Sequence, residues 1–79
     1  MHVLLRKIDP DQGMNRWYMI TVQATLLEPL AVVCAYGSWE SPWQQLRVLP
    51  VSSPAEAQGL ADTILDQKLN RGYQVIYQA

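Results

Sequence analysis

Residues 52–73, SSPAEAQGLADTILDQKLNRGY, form the one stretch of this 79-residue chain whose apolar positions recur at helical spacing. Ser53 can cap the first turn, Pro54 suits the first helical position, and Glu56 stands where a capping box needs its acid. Ala57, Leu60, Ala61, Ile64, Leu65 and Lys68 then run in an i, i+3, i+4, i+7 stripe, with Leu69 beside it. Gln58, Asp62, Asp66 and Gln67 fall on the wet side. Arg71 complements the negative end of the helix dipole, and Gly72 can take the left-handed conformation that ends a helix. Gly59 lowers helix propensity and leaves room for close packing on a sheet.

Everything around this helix reads as strand. HVLLRKI (2–8) is a short strand closed by Asp9-Pro10, and DPDQGMN (9–15) has turn chemistry. In RWYMITVQATLL (16–27), Tyr18, Ile20, Val22, Ala24 and Leu26 recur with period two, the pattern of a half-buried strand. Glu28-Pro29 reads as a tight reversal into LAVVCAY (30–36), which makes the pair an antiparallel hairpin. WQQLRVLPV (43–51) is a further strand that Pro50 ends or places at an edge. YQVIYQ (73–78) closes the sequence as a last short strand. The expected class is α+β: a single domain over residues 1–79, with a mainly antiparallel sheet of four to five strands and one amphipathic helix packed on one face.

Composition removes several kinds of function. A chain this short buries only about 60% of its unfolded surface, so a modest stability is expected. Six basic and seven acidic side chains give a net charge of −1, unlike the strongly basic balance of a free-standing nucleic-acid binder. Cys34 is the only cysteine and lies in an apolar run, a small core residue in a chain suited to a reducing compartment. The longest apolar run, Leu30 to Tyr36, is far too short to cross a bilayer. MHVLLRKIDPD carries no signal-peptide pattern, so a cytoplasmic, non-membrane protein is expected. The single histidine, His2, falls at a terminus expected to be mobile. No metal cluster, phosphate-cradling loop or paired acid and base is spaced for chemistry. A binding module without catalysis or cofactor is what remains.

Its candidate surface is CAYGSWESPWQQ (34–45), where Tyr36, Trp39 and Trp43 crowd among the turn formers Gly37, Ser38, Ser41 and Pro42. Arg47 lies close in sequence and Arg16 starts a neighbouring strand; an arginine near exposed aromatics supports stacking and phosphate contact. The same residues also suit a hot spot for a protein partner or for self-association, with the charges as rim.

In order and spacing these landmarks resemble the WGR domain family. Asn15, Arg16, Trp17 and Tyr18 match its Asn-Lys-aromatic-Tyr start of a long strand, and Tyr36, Gly37 and Ser38 stand at the tripeptide that names it. Glu56, Ala57, Lys68, Gly72 and Tyr73 match the helix's beginning and its K-x-x-x-GY close. The similarity runs from Leu4 to Ile76. It implies a nucleic-acid or partner-docking module: in poly(ADP-ribose) polymerases the domain contacts DNA ends, the tripeptide's tryptophan stacking and its arginine making polar contacts. Here Tyr36 keeps an aromatic in the stacking slot, but Ser38 carries no charge and Glu40 follows it. On sequence, a partner richer in apolar surface than DNA has the better claim, with nucleic acid as the alternative.

Overall fold

The computed structural model describes all 79 residues. Five strands form one antiparallel sheet: β1 (His2–Asp9), β2 (Met14–Gln23), β3 (Ala31–Ser38), β4 (Gln44–Pro50) and β5 (Gln74–Gln78). One helix, α1 (Pro54–Asn70), lies between β4 and β5. The spatial order is β4-β3-β2-β1-β5, so the first and last strands pair, with a bulge opposite Leu4/Leu5. The expected α+β class and the single helix after the fourth strand are what the structure has.

The helix begins and ends as its sequence dictates. Glu56 N–H donates to Ser53 Oγ at 3.1 Å, and the Glu56 carboxylate accepts from Ser52 N–H at 3.0 Å. Together these satisfy donors that the first turn leaves without partners. At the other end Gly72 has φ +94°; its N–H donates to Leu69 O, and Tyr73 N–H donates to Lys68 O, both at 3.1 Å. This is a Schellman motif, and it ties Tyr73 directly beside Lys68.

Period-two alternation puts Val3 and Leu5 of β1, Tyr18 and Ile20 of β2, and Val32 and Cys34 of β3 on one sheet face. Ala57, Ala61 and Ile64 cover them, completing the core. Small alanines at two of these three positions let the helix axis approach the sheet closely. Gly59 takes no part in that packing: it is exposed, and a Cβ there would meet nothing within 4 Å. No helix is long and apolar enough to cross a membrane.

Two sequence expectations are corrected. The second strand stops at Gln23 rather than running through Leu27, and the reversal is a loop over residues 24–30. Thr25 and Glu28 close it on themselves: Thr25 N–H donates to Glu28 O and Glu28 N–H donates to Thr25 Oγ1, each at 2.9 Å. A threonine that offers its hydroxyl to the backbone competes with the ladder, and Leu26 and Leu27 are left fully exposed despite the period-two pattern. His2 is no loose end either. It exchanges backbone hydrogen bonds with Ala79, at 3.1 and 2.8 Å, and its ring meets Tyr77 edge-on.

Candidate functional site

The helical stripe that buries Ala57, Ala61 and Ile64 continues one turn further to Lys68. There the core ends in aromatics rather than aliphatics. Tyr18 and Tyr36, paired across β2 and β3, stack at 5.3 Å with their planes 11° apart. Tyr73 meets Tyr18 edge-on at 6.2 Å. The Lys68 ammonium lies 4.4 Å over the Tyr18 ring and 5.9 Å from the Tyr73 ring, which Lys7 also approaches at 5.9 Å. A lysine stem here covers apolar surface while its charge rests on aromatic faces.

Around these rings a cleft of about 390 Å³ opens between the C-terminal end of α1 and the sheet. Lys7, Met14, Arg16, Tyr18, Tyr36, Arg47, Lys68, Arg71 and Tyr73 line it. Five of the protein's six cations are therefore gathered on one concavity that contains no carboxylate. A second hollow continues from it past Tyr36 and Arg16 to Ser38 and Gln45. Burial, and after it the Arg71 charge, hold the Lys68 ammonium below the usual lysine range. The Tyr18 hydroxyl is pushed well above the usual tyrosine range, first by burial and then by the adjacent Cys34 thiol. Tyr18 is therefore a neutral, buried floor beneath Tyr36 and Lys68 that contributes no anion to the cleft.

Each cation has a structural reason for its position. Lys7 and Arg16 are opposite one another in the β1–β2 register, and Arg16 in turn is opposite Ser38. Arg47 points to the same face from β4, opposite Cys34. Lys68 arrives from the last turn of α1 and Arg71 from the residue that caps it, where positive side chains offset the partial negative charge of free carbonyls. The uncharged Ser38 is thus directly across the sheet from an arginine, so this end of β3 does not lack a cation.

The residues singled out in the sequence divide between two faces. Tyr36, Ser38, Arg16 and Arg47 belong to the cleft and its extension. Trp39 folds to the opposite face, where it forms a shallow groove with Leu4 and Trp17 and lies 4.3 Å from the Arg6 guanidinium. Its backbone is held there by Trp39 N–H donating to Asn15 O at 2.7 Å. Trp43 is at the tip between β3 and β4, 82% exposed. Gly37, in β3 opposite Gln44, allows the chain after the turn to come close: a Cβ on it would lie 2.8 Å from the Trp43 carbonyl oxygen. Glu40, the acid that follows Trp39, lines neither hollow.

Sequence reasoning placed Lys68 and Arg71 at a helix end, Tyr18 on a half-buried strand and Tyr73 at the helix's close, without joining them into a site. The available signal was the continuation of the buried stripe onto a lysine, followed four residues later by the glycine that turns Tyr73 back.

Comparison with known proteins gives one result. The WGR domain family matches over residues 1–79. No curated protein and no solved structure matches the chain. Because the family match covers its whole length, the chain belongs to the WGR domain family.

Proposed function

We propose that this domain binds nucleic acid through the cleft, seating phosphates among Lys7, Arg16, Arg47, Lys68 and Arg71 and a base or sugar against Tyr36. The observation that carries this reading is the segregation of charge. A protein of net charge −1 has five cations and no carboxylate around one aromatic-floored hollow. Such a cluster repels itself in the free protein, and a polyanion relieves that repulsion while releasing its own counterions. An aromatic floor adds stacking that is tolerant of sequence, on the order of 1–3 kcal/mol per base. Net charge, the quantity that weighed against nucleic acid in the sequence, averages over the whole surface and does not describe the cleft.

Docking of an apolar protein partner on the 36–43 loop is the second reading, and the exposure of Trp43 favours it. Tyr36 and Trp39 cannot join Trp43 in one flat patch, because they occupy opposite faces of the sheet.

Fluorescence-anisotropy titration with short single- and double-stranded DNA and RNA at low salt tests the proposal. Binding that weakens in Arg16→Gln and Arg47→Gln but survives Trp43→Ala is expected. No binding at low salt removes the nucleic-acid reading. Loss of binding in Trp43→Ala alone would move the contact from the cleft to the loop tip.

A further inference from the structure

We infer that the sheet face away from the helix is a self-association surface, on which a second copy of this chain docks face to face. Cross-strand register places Tyr77, Leu4, Met19, Ala35 and Leu46 in one row across all five strands. The next row is His2, Thr21, Val33 and Val48; on the other side come Gln74, Arg6, Trp17, Gly37 and Gln44. Among these fourteen positions Arg6 is the only formal charge, and its Nε already donates to Asn15 Oδ1 at 3.0 Å beneath the Trp39 ring. The buried Thr21 hydroxyl donates to Val33 O, and no buried side-chain polar atom is left without a partner. The central row of Leu4, Met19, Ala35 and Leu46 carries no polar side-chain atom for a cover to strand.

Shape and charge together name the occupant. Along β3 the face is low and already closed by its neighbours, with Val33 and Ala35 almost wholly buried. Beside it stands a ridge on β4, with Leu46 63% and Val48 46% exposed. A two-fold rotation sets each copy's β4 ridge against the lower β2–β3 surface of the other. Sheets also stack face to face at about 10 Å when their inner residues interdigitate in this way. A nucleic acid finds almost no cation here, and a charged protein surface finds nothing to pair with. The opposite face, with five cations, repels its own copy.

Area supports a reversible dimer. At on the order of 150–250 Å² for a large side chain, the exposed parts of Ile8, Trp39, Leu46, Val48 and Tyr77, with the half-exposed Leu4, Trp17 and Met19, offer roughly 700 Å² per copy. A standard interface takes about 800 Å² from each partner, so this face is close to the size that a specific dimer needs. Such a dimer carries its two basic clefts outward, on opposite sides.

Sedimentation equilibrium of the full chain from about 1 to 100 µM tests the inference. The wild type is expected to climb from 9.0 kDa towards twice that mass, while Leu46→Lys/Val48→Lys stays at one chain with an unchanged circular dichroism spectrum. Arg47→Glu, on the cleft face, should dimerise as the wild type does. Concentration-dependent amide shifts in the unmodified protein provide a readout that needs no variant. They should gather at Leu4, Met19, Leu46 and Val48 and spare Arg71. A wild type that remains a monomer throughout overturns the inference, as does a folded Leu46→Lys/Val48→Lys protein that still dimerises, or shifts that gather around the cleft.

Discussion

Salt dependence gives the cleft a number to meet. If all five cations neutralise one phosphate each, the slope of log K against log salt for a single strand approaches about −3.5, from roughly 0.7 counterions released per contact. Raising salt from 50 to 200 mM should then weaken binding roughly 100-fold. Arg16→Gln/Arg47→Gln removes two contacts on one side of the cleft and leaves Lys7, Lys68 and Arg71. The slope should fall to about −2.1, so the same salt step costs only about 20-fold. Neither arginine is buried, and neither holds a core residue in place, so the fold should persist. The assay is anisotropy of a labelled oligonucleotide at four or five salt concentrations for each protein. A double variant with weaker binding but an unchanged slope would refute the reasoning, because the arginines would then not be displacing counterions. A wild-type slope near −1 would likewise show that the cluster does not act as a unit.

Three further outcomes follow from the structure. Gly37→Ala should destabilise the domain by about 1–3 kcal/mol in urea unfolding, since the new methyl meets backbone at 2.8 Å rather than a mobile side chain. Gly59→Ala should stabilise it by about 0.5–1 kcal/mol, raising Tm by a few degrees, because the position is helical, exposed and has open space for the methyl. Stability should also bend with alkaline pH. The lowered native pKa of Lys68 means that the unfolded chain binds more protons in the window just below 10.5, so stability rises with pH there. The raised pKa of Tyr18 has the opposite sign: its contribution is complete below 10.0 and is lost as pH climbs past that value. Denaturant titrations across this range should show the rise flattened in Lys68→Gln and the fall retained.

How far the sequence could be read depended on whether the relevant physics was local. The helix, both of its caps and the strands around Ile20, Cys34 and Leu5 follow from period, capping chemistry and turn residues, all of which act within a few positions. Leu26 and Leu27 misled for the same reason: their alternation continued a strand that the Thr25 hydroxyl had already stopped. The cleft was not legible because its cations come from β1, β2, β4 and α1, and only register and the Schellman turn bring them together. Proximity in sequence suggested that Tyr36 and Trp39 share a surface. Three residues of separation puts them on opposite faces of the sheet, which is what period two requires.

The dispersal of those cations along the chain means that the basic cleft exists only in the folded molecule. Lys7 and Arg71 stand at opposite ends of the sequence, and no segment of the unfolded chain carries a basic run. The positive field is created only when β1, β2, β4 and α1 have all docked. A nascent or denatured molecule, with net charge −1 and its cations scattered, offers nucleic acid almost nothing. If the cleft binds a polyanion as proposed, that affinity reports completed folding, and the ligand stabilises the folded molecule by mass action.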